Sequence, residues 1–395
     1  MTTPKHIPSG YKPSPLGPIP EDWEVKRLGE ICTHFKSGNT ITSKDIHDDG
    51  LYPVYGGNGL RGYANTFTHD GNYILIGRQG ALCGNINYVE GKNYISEHAI
   101  AVQTNENMQW LKYKLENWNL NRFSESSAQP GLSVEKLVRY KLVIPTRLEQ
   151  NKIADILQLW DTAIAKQTAL IEQLTLRKRG LIQQLLTGKK RLKGFEEEWK
   201  RIKLGDIAER ITRKNEENNQ NVVTISAQRG FVVQTDFFNK SVASEILDNY
   251  YLVHRDEFCY NKSYSNGYPM GTIKRLKTSD KAVVTTLYIC FKLKEKPQTN
   301  IDFFEQYCES GLLNKELVKV ANEGGRAHGL LNVTPDDFFN MHMGVPSFEE
   351  QTVIASVLVN ADKEIEIQKQ KLAAMQEQKK GLMQVLLTGK KRINK

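Results

Sequence analysis

The chain has 395 residues, 39% apolar and 25% charged, with a formal net charge of +9. That is enough for two or three domains with real cores, and the basic excess favours a polyanionic partner, nucleic acid first. No apolar run approaches the roughly 18 residues of a membrane span. The five cysteines (Cys32, Cys83, Cys259, Cys290, Cys308) lack CxxC spacing and the eight histidines are scattered, which argues against a disulfide framework or a structural zinc site and for reduced, mostly buried thiols in a cytoplasmic chain.

Residues 1–22 hold six of the 13 prolines in their first 20 positions and no apolar core segment. They read as an extended, Pro-rich N-terminal arm rather than a secretory signal. A globular domain follows over 23–148. It opens with WEVKRLGEI (23–31) and continues with β-type runs, YILIGRQGALCGNI (73–86) and ISEHAIAV (95–102), and a helical piece at Trp110–Trp118. GNGLRG (57–62) has the spacing of a dinucleotide fingerprint. That fingerprint requires a helix to follow, and the continuation YANTFTHDGNYILI reads as strand and turn, so the glycines signal close backbone approach.

Residues 149–188 form a long helix. Ile153, Leu157, Trp160, Ile164, Gln167, Ile171, Leu174, Lys178, Leu181 and Leu185 step alternately by four and three, a heptad seam made to pack along a partner helix. It ends in GLIQQLLTGKKR (180–191), with Gly188 as a C-cap. A linker (189–198) leads to a second globular domain over 199–348. This domain opens with WKRIKLGDI (199–207) and repeats the template of strand, polar loop, Gly-x-Ile, then a strand entered through Ser or Thr, in EFCYNKSYSNGYPMGTI (257–273) and VVTTLYICF (283–291), with a helical piece at Phe303–Val320.

The last helix, 349–388, repeats the first at an offset of 201. GLMQVLLTGKKR (381–392) matches ten of twelve letters, Pro346, Glu350, Gln351 and Asp362 repeat Pro145, Glu149, Gln150 and Asp161, and the seam reappears as Ile354, Leu358, Ala361, Ile365, Gln368, Leu372, Met375, Lys379, Leu382 and Leu386. Even the polar interruptions coincide, as expected of two helices that pack on each other in a defined register. Residues 389–395 are a basic tail. The heptads leave parallel and antiparallel pairing open. The fold class expected is α/β: two α/β domains, each followed by a long helix, the helices packed together.

This organisation resembles the DNA-specificity subunit of type I restriction–modification systems. Two dissimilar domains, each opening with W-x-x-x-x-L-G-[ED]-I, alternate with two near-identical helices entered through P-x-x-x-E-Q-x-x-I-A and left through L-L-T-G-K-K-R, from Trp23 almost to the C-terminus. The resemblance implies target-recognition domains that each read half of a bipartite double-stranded DNA sequence, and an antiparallel coiled coil with pseudo-two-fold symmetry that sets the spacing. It implies no chemistry in this chain. Two adenine-N6 methyltransferase subunits would bring S-adenosylmethionine, and two motor–nuclease subunits ATP and Mg. Half-sites about one DNA turn apart, roughly 34–36 Å, would let one face read both.

The residues themselves show no catalytic or metal constellation. TGKK fails as a phosphate loop, because Gln183 and Gln384 stand where glycine is needed and Lys190 and Lys391 where Ser or Thr is. No Asn-Pro-Pro-aromatic run of an aminomethyltransferase occurs, and the E-x-K nearest to Pro335-Asp336, Glu377 to Lys379, lies inside the coiled coil. The competing readings are a fused nuclease or methyltransferase, or a DNA-binding scaffold without methyltransferase partners.

Candidate DNA-reading residues sit in the polar loops, where Arg suits guanine and Asn or Gln suits adenine. They are Asn58, Arg61, Tyr63, Arg78, Gln79, Ser96, Glu97 and His98 in the first domain, and Gln228, Arg229, Lys262, Tyr264, Asn266, Arg326 and His328 in the second. The clusters Lys189, Lys190, Arg191 and Lys390, Lys391, Arg392 are candidate contacts for partner subunits or phosphates, with helix-dipole stabilisation as the alternative.

Overall fold

The computed structural model describes residues 7–80, 82–124, 131–233, 247–321 and 331–393. The chain divides into two compact units. One contains the chain up to Ala169 together with the stretch from Lys369 onward, and the other runs from Leu170 to Gln368. Each unit thus holds a globular domain, the first half of one long helix and the second half of the other.

In the first unit the strands are β1 (Tyr11–Lys12), β2 (Ile19–Pro20), β3 (Glu24–Arg27), β4 (Cys32–Ser37), β5 (Tyr52–Gly56), β6 (Gly59–Ala64), β7 (His69–Asp70), β8 (Tyr73–Gly77), β9 (Ile86–Val89), β10 (Lys92–Ile95) and β11 (Ala99–Thr104). Helix α1 (Met108–Trp118), strand β12 (Lys141–Ile144) and the long helix α2 (Arg147–Leu185) follow. Strands β4-β11-β8-β9 form an antiparallel sheet, and β6-β5-β10-β7 form a mixed one in which β5 and β10 run parallel. Alternation along the strands divides two cores, as the two-residue period of a strand dictates. Ile74, Ile76, Ile100 and Val102 face the main core with Trp23, Trp110, Ile153, Leu157 and Leu386. Tyr73, Leu75, Ala99 and Ala101 face a smaller one with Val89 and Ile95.

The second unit has β13 (Lys200–Lys203), β14 (Ala208–Ile211), β15 (Val223–Ser226), β16 (Gly230–Val233), β17 (Tyr251–His254), β18 (Phe258–Asn261), β19 (Thr272–Arg275), β20 (Lys281–Val284) and β21 (Ile289–Leu293). Then come α3 (Ile301–Glu309), β22 (His342–Val345) and the long helix α4 (Phe348–Leu386). The sheet β14-β21-β18-β19 repeats the order of β4-β11-β8-β9. The hairpin β15–β16, the pair β17–β20 and a parallel bridge from Val222 to Val283 repeat the second sheet. Domains with little sequence identity therefore share a topology.

The repeated motifs explain themselves as local structure. In WEVKRLGEI and WKRIKLGDI the strand leaves into one helical turn, whose acidic residue accepts from the backbone N–H at the turn's start: Arg27 to Glu30 at 2.7 Å and Lys203 to Asp206 at 2.8 Å. Strands β3 and β13 pair with β12 and β22, just before each long helix.

Both long helices have 39 residues, about 58 Å at 1.5 Å per residue, and their bounds lie within three residues of the expected ones. They end in C-caps at Gly188 and Gly389, whose φ values of +68° and +74° are left-handed. The N–H groups of Lys190 and Lys391 reach back to the carbonyls of Gln184 and Val385, the pattern that satisfies the last carbonyls of a helix. Within each unit the first half of one helix lies with the second half of the other, so the pairing is antiparallel. Asp161 pairs with Lys379 in the first unit and Lys178 with Asp362 in the second, each at 2.5 Å. The two lysines that interrupt the heptad seam are thus the cationic partners of repeated aspartates.

Of the seam residues, Ile153, Leu157, Ile354, Leu358 and Ile365 are buried, while Trp160, Ile164, Ile171, Leu174, Leu372 and Met375 are half-buried. The five cysteines are free thiols, and Cys83, Cys259 and Cys290 are buried.

One expectation is corrected. The Pro-rich start is not an extended arm over its described part. Gly17, at φ +96°, turns the chain so that β1 pairs antiparallel with β2. Ile19 is then buried, and the Tyr11 hydroxyl donates to the Gly389 carbonyl at 2.7 Å. Prolines opposed regular structure locally, but apolar burial at Ile19 and Trp23 overrode them.

Candidate nucleic-acid interface

The repeated helix ends organise each domain before they do anything else. Gln150 and Gln351 perform the same task. Each accepts from the backbone N–H of an asparagine N-cap, Asn107 at 2.9 Å and Asn300 at 3.0 Å, and each donates to the proline carbonyl before its helix, Pro145 or Pro346, at 3.0 Å. Those asparagines cap α1 and α3 with their side chains. The preceding glutamates are nearly inaccessible, Glu149 at 6% and Glu350 at 1% exposure. A buried carboxylate requires a partner. Arg392 supplies it to Glu149, through Nε at 2.9 Å and Nη2 at 2.9 Å, and Arg191 to Glu350, at 2.8 Å and 2.7 Å.

Two of the six candidate partner-contact residues are therefore engaged inside their own units. Arg191 and Arg392 clamp buried carboxylates, and the pKa of each guanidinium is raised, that of Arg191 by Glu350 and that of Arg392 by Asp22 first, which it also binds at 2.8 Å, and then by Glu149. Lys189, Lys190, Lys390 and Lys391 are exposed.

Three loops converge at one edge of the first domain: the β5–β6 hairpin tip, the β8–β9 loop and the β10–β11 turn. They frame a cleft of about 510 Å³ lined by Asn58, Arg61, Gln79 and His98 with Gly57, Gly80 and Gly131. The GNGLRG glycines serve close packing, and the motif runs into strand β6 instead of a helix. A side chain at Gly57 would approach the His98 carbonyl to 2.9 Å, and one at Gly77 would approach the Gly57 carbonyl to 2.5 Å. Arg78 donates its N–H to the His98 carbonyl at 2.9 Å, and Gln79 Oε1 meets His98 Nδ1 at 3.2 Å. His98 Nε2 lies 3.2 Å from Glu97, whose carboxylate also accepts from the Ile41 N–H. Glu97 and Gln79 thus hold the imidazole from both sides.

The candidates divide accordingly. Asn58, Arg61 and Gln79 are exposed at this edge, and Tyr63, Arg78, Glu97 and His98 are half-exposed. Ser96 is corrected: its exposure is 0%, and its backbone binds the Tyr55 carbonyl and the Ala99 N–H. It turns the chain between β10 and β11 and presents nothing at the surface.

The second domain builds the same edge from different side chains. Gln228 and Arg229 occupy the tip of the β15–β16 hairpin, the position of Asn58, and both are exposed. Lys262, Tyr264 and Asn266 occupy the β18–β19 loop, the position of Arg78 and Gln79. Tyr264 is 66% exposed, and burial, with Arg210 nearby, pulls the half-buried Lys262 amine below its usual pKa. Gln228 and Asn266 line one cleft of about 680 Å³. Arg326 and His328 lie outside the described residues. Sequence reasoning missed the third loop here, the β20–β21 turn with Thr286 and Leu287, because an apolar residue between strands reads as core. The repeated entry of β11 and β21 through Ser96 and Thr285 was the available signal.

Among the described residues no group of three or more His, Cys, Asp or Glu is placed to hold a metal ion, and no helix is long and apolar enough to cross a membrane.

Comparison with known proteins agrees with this architecture. The family described as type I restriction modification DNA specificity domain matches residues 20–176 and 196–377, and the chain belongs to that family. The Escherichia coli type I restriction enzyme EcoprrI specificity subunit is 44% identical over 144 residues, 35% of each chain, so the chain aligns with about a third of that protein. The MjaVIII specificity subunit of Methanocaldococcus jannaschii is 25% identical over 95% of this chain and 94% of its own. Among solved structures, the type I S subunit of M. genitalium superposes with a TM-score of 0.59 at 16% identity, covering 92% of this chain and 96% of that one. A chain from a structural study of assembly and conformational transition in a type I system gives 0.54 at 13% identity over 94% and 99%.

Proposed function

We propose that the chain reads an asymmetric bipartite double-stranded DNA target, one half-site per domain, as the non-catalytic specificity subunit of a cytoplasmic type I restriction–modification complex. The reading rests on one observation. The two domains build the same three-loop edge with different side chains, Asn58, Gln79 and His98 against Gln228, Asn266 and Leu287, while the helical frame repeats its Asp–Lys and Glu–Arg pairs and its glutamine contacts at equivalent positions. Equivalent frames suit two copies of one partner, and different edges suit two different DNA sequences.

The partners are two adenine-N6 methyltransferase subunits, which bring S-adenosylmethionine, and two motor–nuclease subunits, which bring ATP and Mg. Lys189, Lys190, Lys390 and Lys391 are the exposed cations offered to those subunits or to phosphates. Base edges are met by Asn58, Arg61 and Gln79 in the first domain and by Gln228, Arg229, Tyr264 and Asn266 in the second.

The test is purification from the native host and a methylome. A methyltransferase chain should co-purify, and the host DNA should carry a gapped, asymmetric adenine motif. Methyl transfer by the chain alone with DNA and S-adenosylmethionine would overturn the reading. Four residues inserted near Thr168 add about 6 Å of helix and shift the heptad phase. The expected outcome is a gap one or two base pairs longer with both half-sites unchanged, and altered half-sites would contradict a spacer role.

A further inference from the structure

We infer that the β20–β21 turn, through Leu287 and the neighbouring Thr286, reads the methyl group of a thymine in the half-site of the second domain. The inference rests on the proposed DNA-reading role and assigns to it a residue and a base.

Register carries the assignment. In the first domain the chain leaves β10, turns at Ser96 and enters β11, with the Ala99 N–H donating to the Ser96 carbonyl at 3.0 Å. In the second it leaves β20, turns at Thr285 and enters β21, with the Tyr288 N–H donating to the Thr285 carbonyl at 3.3 Å. Thr286 therefore stands where Glu97 stands, and Leu287 where His98 stands. His98 lines the cleft at the first domain's loop edge. The Tyr288 hydroxyl, next to Leu287, lies 3.1 Å from Thr224 Oγ1 on β15. The turn is thereby tied to the hairpin that carries Gln228 at its tip.

The chemistry of the two turns differs in kind. The first presents an imidazole held between Glu97 and Gln79. The second presents a leucine that is 56% exposed, beside an exposed threonine. An exposed leucine at an otherwise polar reading edge leaves apolar area in water that a thymine C5-methyl would cover. Apolar and threonine-methyl contacts to that group are an established means of reading thymine in the major groove. Among the four unmodified bases only thymine presents a methyl there, so the contact separates thymine from cytosine without a hydrogen bond.

The experiment uses the full chain with its co-purified methyltransferase partner and the gapped target defined by the methylome. Each thymine of each half-site is replaced singly by uracil, which removes the methyl and leaves the pairing edge intact. For the unaltered protein, one replacement in the second domain's half-site should weaken binding about three- to fivefold, the value of one buried methyl group. Leu287→Ala should bind the thymine target correspondingly less well and no longer distinguish thymine from uracil at that position. Leu287→Met should keep most of the discrimination, and uracil effects in the other half-site should not change. Retained discrimination in Leu287→Ala, a second half-site insensitive to uracil throughout, or a second half-site without thymine would each overturn the inference. If no variant or parent binds any DNA sequence-specifically, the proposed function itself fails.

Discussion

Trp23→Ala is expected to lower the free energy of unfolding by about 3–5 kcal/mol, the range for truncating a buried aromatic, while Trp199→Ala costs distinctly less. The two tryptophans open the same motif, yet their surroundings differ. Trp23 is 0% exposed, and its indole N–H donates to Glu149 at 2.8 Å. It also packs so closely under the end of α4 that a side chain at Gly389 would come within 3.0 Å of the ring. Trp199 is half-exposed, its nearest described aromatic partner is Phe303 at 6.3 Å between centroids, and its indole N–H is buried with no hydrogen-bond partner among the described residues.

The phenylalanine substitutions separate packing from hydrogen bonding. Trp23→Phe removes a donor from a buried carboxylate and should destabilise beyond its loss of volume. Trp199→Phe relieves an unsatisfied N–H and should be close to neutral. Urea unfolding followed by far-ultraviolet circular dichroism reads all four variants. Equal effects at the two positions would contradict this account.

Lys114→Met is expected to stabilise the protein at pH 7 by about 1–2 kcal/mol. The Lys114 amine is buried, donates to the Leu387 carbonyl at the end of α4 at 2.5 Å, and is pushed down by burial to a pKa of about 8. The unfolded chain holds that proton up to about pH 10.4. Below pH 8 the amine is charged in both states and the burial penalty is fully present. Between about pH 8 and 10.4 the folded protein releases the proton first, so the unfolded state binds more protons and stability rises with pH. The full relief amounts to about 3 kcal/mol, and a hydrogen bond worth roughly 1–2 kcal/mol is lost with the amine. Methionine keeps the shape without the charge. The difference between the unaltered chain and Lys114→Met should narrow above about pH 8 and reverse at about pH 9, where the unaltered chain has regained about 1–2 kcal/mol. Parallel pH profiles would rule out a buried, readily deprotonated amine.

Much of the frame was legible without coordinates. The heptad steps from Ile153 to Leu185, their copy at an offset of 201 and the caps at Gly188 and Gly389 are local signals, written in residues a few positions apart. The loop candidates were legible as types and only partly as surfaces. Asn58, Gln79 and Gln228 lie exposed at the loop edges, whereas Ser96 is buried and Leu287 went unnoticed, because exposure of a turn residue depends on which distant loops pack beside it.

The amino-acid sequence by itself determined that this protein has two long, matching helices, two domains opened by the same turn, and no recognisable catalytic motif. Those features follow from periodicity and backbone chemistry within single segments. Only the tertiary structure decided that the helices run antiparallel, that Lys178 and Lys379 interrupt the seam to meet Asp362 and Asp161, and that Arg191 and Arg392 clamp Glu350 and Glu149. These pairs join positions some 160 to 240 residues apart. A charge identifies its partner only when folding has removed both from water, and no local pattern states which two will meet.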